Sequence, residues 1–195
     1  MRFRFSVILL VALLCGAVVA QKQPPLAEKD KTSGCEEFSS AEGQFTVCLP
    51  GTPTADIATV GTTAGPLKTY FFVLQTDPFL YYISYADLPV FPQTPAETKM
   101  ALDETRDQTA AKGAMLSESE VTFDGIVGRE LLVQRNGLIL KGRFFYAKGR
   151  LYHIILTAPP NVAFRDGKLS TNPADRTELF ETTSKRFFES FKLTK

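Results

Sequence analysis

The chain has no tryptophan, a single histidine and three cysteines in 195 residues, and each shortage narrows what it can do. Any Ser-His-Asp arrangement or histidine-based zinc site must pass through His153, because no other imidazole is available. The sequence contains no Gly-x-Ser-x-Gly elbow, glycine-rich phosphate loop, Cys-x-x-Cys pair or His-Glu-x-x-His helix. Cofactor and metal chemistry therefore has no sequence signal, and neither a catalytic set nor a cofactor is expected. The acidic groups Glu36-Glu37 and Asp103-Glu104-Asp107 fall beside a strand and along a helix, away from any Asp-x-Asp-x-Asp-Gly calcium loop. Charge bias is also missing. With 22 Lys+Arg against 21 Asp+Glu, nothing recommends nucleic acid or an anionic membrane as a partner.

The one long apolar run, Ser6 to Val19, falls short of the roughly twenty residues a membrane span needs. Arg2 and Arg4 precede it, and the small residues Val18 and Ala20 close it, so residues 1–20 are expected to be a signal peptide cut before Gln21. Cys15 follows Leu14, where a lipoprotein signal carries a small residue, and lipidation is not expected. The mature chain is then exported to the periplasm or beyond, without stable membrane insertion.

Cys35 and Cys48 remain, in a compartment where disulfides persist. Glu36–Ser40 and Gln44–Leu49, flanking Ala41-Glu42-Gly43, read as a hairpin that sets Cys48 opposite Glu36, one step from Cys35. A structural disulfide follows. A redox-active pair would favour the closer Cys-x-x-Cys spacing.

Residues 21–34, with Pro24-Pro25 and the charged run Glu28 to Lys31, offer little to bury and are expected to be a flexible linker. Residues 35–195 then form one domain, with sixteen Phe and six Tyr to fill its interior. Strands are predicted at Gln44–Leu49, Leu67–Leu74, Leu80–Asp87, Met115–Phe123, Ile126–Arg135, Leu138–Ala147 and Leu151–Ala158. Asp124-Gly125, Asn136-Gly137 and Lys148-Gly149 separate the last four as two-residue hairpin turns. Thr94-Pro95-Ala96-Glu97 announces a helix to about Lys112 with thin apolar content, and Asn172-Pro173-Ala174-Asp175 announces a second. In that second helix Phe180, Thr183, Phe187 and Phe191 recur at helical spacing, a stripe that belongs in a core. Pro159–Ser170 reads as a long loop. Consecutive apolar residues, as in Phe71-Phe72-Val73-Leu74, imply that both sheet faces are partly covered. The fold class is α+β: a mainly antiparallel sheet of about seven strands with helices on both faces.

Hairpin register sets His153 opposite Phe144, on a face with Leu131, Val133 and Leu140, so the ring is expected in an apolar layer, with a general-base role as the alternative. Arg129, Arg135, Lys141, Arg143, Lys148 and Arg150 resemble a basic surface, but Glu130 faces Arg143 and Glu120 faces Arg129, which neutralises much of it.

Four segments then carry a family resemblance: Phe45-Thr46-Val47-Cys48-Leu49-Pro50-Gly51-Thr52-Pro53, Tyr82-Ile83-Ser84-Tyr85-Ala86-Asp87, Asp124-Gly125-Ile126-Val127-Gly128-Arg129-Glu130 and Phe187-Phe188-Glu189-Ser190-Phe191-Lys192-Leu193. In this order they resemble the superfamily that joins the photosystem II extrinsic protein P (PsbP) with the Mog-type Ran-release factor and with exported bacterial relatives. The resemblance implies an α/β/α sandwich, and a fold more than a job. The expected role is an exported, non-enzymatic binding or accessory module with an unknown protein partner or small ligand. The alternatives are a small hydrolase using His153 and a ligand carrier using the aromatic strands Phe71 to Tyr85.

Overall fold

In the computed structural model the described residues are 34–62, 65–159, 163–165, 168–170 and 173–194. The predicted signal peptide, and the predicted linker up to Ser33, lie outside them.

The hairpin turns build most of the sheet. At Asp124-Gly125, Asn136-Gly137 and Lys148-Gly149 both residues have positive φ, between 47° and 79°. That is the backbone a type I′ turn requires, and its twist matches that of the strands it joins. Strands β6 (Ala114–Phe123), β7 (Ile126–Arg135), β8 (Leu138–Ala147) and β9 (Arg150–Ala158) thus fold as an antiparallel meander. Strands β3 (Thr54–Thr62), β4 (Gly65–Gln75) and β5 (Leu80–Asp87) form a second, and β5 pairs with β9 to give a seven-stranded antiparallel sheet in the order β3-β4-β5-β9-β8-β7-β6.

Each face carries a helix. α2 (Pro173–Ser190) and the residue after it bring Phe187, Phe188 and Phe191 onto Tyr81, Ile83, Tyr85, Phe145, Tyr152, Ile154 and Leu156, all buried. α1 (Pro95–Ala110) covers the opposite face, where Leu102 meets Leu131, Val133 and Phe144. A three-stranded sheet, β1 (Glu36–Ser40), β2 (Phe45–Leu49) and β12 (Lys192–Leu193), lies on the α2 side and sends Phe45, Val47 and Leu49 into the same core. Among the described residues no helix is long and apolar enough to cross a membrane.

Six of the seven expected strands lie in the large sheet. Gln44–Leu49 instead pairs in the small one, and β3 takes the seventh place. β3 was not expected: Thr-Ala-Asp-Ile-Ala-Thr-Val-Gly-Thr has too little apolar alternation to announce a strand, and its ladder with β4 places it. The hairpin register before Cys48 also differs from expectation. The turn takes four residues, Ala41 to Gln44, with Gln44 at φ 53°, so Ser40 pairs with Phe45 and Cys48 faces Glu37 instead of Glu36. Cys35 and Cys48 are nonetheless joined, with their Cα atoms 5.5 Å apart. The predicted loop Pro159–Ser170 contains a short hairpin, β10 (Ala163–Arg165) with β11 (Lys168–Ser170), whose arms are too short to show a period.

Three sets of substitutions test this account. Phe191 touches Phe45, Phe123, Phe145 and Tyr152, so Phe191→Ala is expected to cost about 3–5 kcal/mol in urea unfolding. Met100→Ala, on the exposed side of α1, should change stability by no more than about 0.5 kcal/mol. Replacing Cys35 and Cys48 by serine opens a short loop and should cost about 3 kcal/mol by the chain-entropy relation.

Candidate functional site

The first turns of α1 stand over a cleft in the sheet. Thr94 caps the helix: its Oγ1 accepts from the Glu97 amide at 3.2 Å, and Glu97 Oε2 accepts in return from the amides of Thr94 and Gln93 at 3.0 and 2.8 Å. These bonds hold the Glu97 carboxyl below its usual range. Pro95, lacking an N–H, leaves no donor unmet at the first helical position. Further along, Leu102 and Thr105 are buried, and the Thr105 hydroxyl meets the Tyr146 phenol at 2.9 Å while Tyr146 also donates to the Ala101 carbonyl at 3.2 Å. The helix is thereby fixed on β8 through polar contacts as well as through one leucine.

Charged side chains fix it on β6 and β7. The Arg129 guanidinium bonds Asp103 of α1 and, at 2.8 Å, Glu118 of β6. Arg106 reaches Asp103, Asp107 and Glu118 at 3.3, 2.8 and 3.6 Å, and Lys99 holds Asp103 at 2.8 Å. The hydrogen bond from Lys99, followed by the charges of Arg129 and Arg106, keeps the Asp103 carboxyl below its usual range. The expected Glu120–Arg129 register is present, but the ion pair is not made there. Asp103 and the diagonal neighbour Glu118 take the guanidinium instead. The helix contribution could not be read from hairpin register.

Between the α1 N-terminus and β6–β8 opens a cavity of about 530 Å³. Phe91, Leu102, Val127 and Tyr146 give it an apolar floor, Ile126 borders it from a strand end whose side chain packs into the α2-side core, and Thr94, Thr98, Lys99, Glu120 and Arg129 form a polar rim. Its arginine and lysine are spent on the ion network, whereas no hydrogen bond or ion pair engages Glu120 among the described residues. Clefts of this size and lining can hold an apolar group under a polar edge.

The other sequence-predicted residues lie elsewhere. His153 packs edge-on against Phe144 with ring centroids 6.0 Å apart, and its Nε2 is buried without a hydrogen-bond partner among the described residues. Burial lowers its pKa to about 4, so the ring is neutral at pH 7. Ser84 is its cross-strand neighbour and is itself buried, yet no hydrogen bond reaches Nε2. Glu130 does bond Arg143, at 2.6 Å, and Arg143 stacks over Phe188. Lys141 bonds Glu181 at 2.6 Å, Arg150 bonds Asp87 at 2.5 Å, and Lys148 donates to the Thr194 carbonyl. The basic cluster is thus largely tied into the fold. The aromatic strands split by face: Tyr70, Phe72 and Tyr85 border a second cavity, whereas Phe71 and Tyr82 pack together on the α1 side. Among the described residues no group of His, Cys, Asp and Glu side chains is placed to hold a metal ion.

The chain matches no protein-family model and no curated protein. Among solved structures it is similar to cyanobacterial PsbP (CyanoP) from Synechocystis, with a TM-score of 0.52 and 10% identity over 87% of this chain and 98% of that one. A protein of unknown function from Pseudomonas aeruginosa aligns with 78% of this chain and 93% of its own at 11% identity, with a TM-score of 0.37. At such identities a likeness speaks for the fold alone. With its antiparallel sheet between two helices, this chain has a PsbP-like fold.

Proposed function

We propose that the chain is an exported, non-enzymatic binding or accessory module that engages its ligand or protein partner at the α1 cleft. The observation that carries the reading is the cavity of about 530 Å³, apolar in its floor, charged at its rim and framed by a helix that the Thr94 cap and the Arg129 network hold in place. Preformed concave sites of this size and composition are where small molecules and anchor side chains bind. Export is supported by the signal-like N-terminus and by the Cys35–Cys48 bridge, which persists in oxidising compartments. The non-enzymatic character is supported by the surroundings of His153, whose buried Nε2 meets neither a nucleophile nor a carboxylate among the described residues.

Native mass spectrometry of the mature protein, purified gently from its own host, tests the binding role. A stoichiometric companion is expected, and Val127→Trp, which fills the cleft from an exposed position, should remove it while changing stability by no more than about 0.5 kcal/mol. A bare monomer, or a companion indifferent to Val127→Trp, speaks against the cleft.

The hydrolase alternative is tested through pH. In the unfolded chain the imidazole takes a proton near pH 6.5, but in the fold only near pH 4. Between those values the unfolded state binds more protons, so stability falls as pH is lowered through the window, by up to about 3 kcal/mol. His153→Leu should flatten that slope and leave the fold intact. Retained folding with loss of a measurable turnover in this variant would restore the enzyme reading.

A further inference from the structure

The second cavity lies on the opposite face from the α1 cleft. Register places Ile57, Tyr70, Tyr85, Tyr152 and Phe145 in one cross-strand row on the α2 side of the sheet. The turn after β1 closes over this row. Gly43 packs so tightly that a Cβ there would lie 2.7 Å from the Tyr85 ring, and its carbonyl accepts from the Tyr152 hydroxyl at 3.0 Å. Arg150 donates to the neighbouring Glu42 carbonyl at 2.6 Å. The Glu42 backbone is therefore anchored while its carboxylate remains available. Between this turn and β3–β5 lies a cavity of about 490 Å³, lined by Tyr70, Phe72 and Glu42 with the Tyr85 ring stacked behind Tyr70, whereas Asp56 pairs with Phe71 and its carboxylate, which accepts from the Ile57 amide, belongs to the opposite face.

We propose that this aromatic cavity binds a small organic cation, a quaternary ammonium or protonated amine, by cation–π contact with Tyr70 and Phe72 and by attraction to Glu42. The protein already sets cations of its own over rings of this row. Lys68 Nζ sits 4.9 Å from the Tyr70 centroid, and the Arg150 guanidinium sits 4.9 Å from that of Tyr85. π faces beside carboxylates attract positive charge. The two occupants differ in how firmly they are held. Arg150 is mostly buried and tied to Asp87 and to the Glu42 carbonyl, so it belongs to the wall. Lys68 is exposed, and a hydrogen bond to Tyr70 is the main cause raising its pKa, so an incoming cation displaces that bond and the lysine's place over the ring, both made by a flexible solvent-facing side chain.

Tyr85 supports the wall from behind. The residue is 1% exposed, and its ring lies between that of Tyr70, stacked at 4.6 Å, and the Arg150 guanidinium. Burial, with the nearby Glu42 charge, pushes its pKa up to about 12, so it stays neutral. An anion is disfavoured by the Glu42 carboxylate, and a purely apolar molecule leaves that charge unanswered.

The probe is choline, titrated calorimetrically into the mature protein beside its uncharged isostere, in which a quaternary carbon replaces the nitrogen. Choline should bind about tenfold more tightly than the isostere, as one or two cation–π contacts imply. Glu42→Gln, a surface change that leaves the core untouched, should weaken choline several-fold, and Lys68→Met should strengthen it by freeing the Tyr70 face. Equal binding of choline and isostere, no choline binding at tens of millimolar, or affinity unchanged in both variants would overturn the proposal. The site is separate from the α1 cleft, so Val127→Trp should leave choline binding unaltered, and either reading can fail alone.

Discussion

Phe191 is the residue through which the parts of this fold are joined. It stands one position beyond α2, fully buried, stacked on Phe45 of the small sheet at 5.1 Å and set against Phe123, Phe145 and Tyr152 of the large one. The short strand β12 begins at the next residue, and its pairing with β2 closes the small sheet. One aromatic side chain thus fixes where the helix ends, where the small sheet sits and how both meet the main sheet. The β1–β2 turn depends on it in consequence, because Phe45 starts the strand that follows that turn. Loosening the ring would free the lid of the aromatic cavity before it unfolded the sheet.

The two faces of the sheet are held by different physics. On the α2 side a continuous layer of Phe, Tyr, Ile and Leu is buried, and the stability there comes from area removed from water. On the α1 side the helix buries Leu102 and Thr105, and what fixes its position is a set of directional contacts: the Thr94 cap, the Thr105–Tyr146 pair and the Arg129–Asp103–Glu118 network. Partly buried ion pairs contribute modest net stability, because desolvation offsets attraction, but they define geometry. A helix held that way can stand off from the sheet at one end, and the cleft lies at that end.

Patterns confined to a few neighbouring residues were legible in the sequence. The I′ turns, the capping box at Thr94, the Phe stripe of α2 and the apolar setting of His153 each rest on a local rule, and each appears in the structure. What escaped was set by partners distant in the chain. β3 has little apolar signal of its own and exists because β4 supplies its ladder. The ion pairs of Arg129 were drawn to Asp103, twenty-six residues away on a helix, in preference to the hairpin neighbour Glu120. One extra residue in the turn before Phe45 shifted the Cys48 register by a step, since turn length decides register and side chains nearby gave no warning. The cavities were illegible for the same reason: the α1 cleft draws on Phe91, Thr98, Ile126 and Tyr146, and no local pattern links them.

Both cavities occur where cover over the sheet runs out. α1 is too poor in apolar residues to seal the ends of β6 and β7, and on the other face β3 and the outer part of β4 extend past the small sheet, leaving Ile57 exposed beside Tyr70. Selection for stability alone would close such gaps, since an apolar group added to a preformed hollow gains burial at little cost when the shape allows it. Here the edges of the hollows instead carry carboxylates, Glu120 at the cleft and Glu42 at the aromatic cavity. A charge at the mouth of a hollow keeps its water close, and that opposes the apolar closure that stability alone would favour.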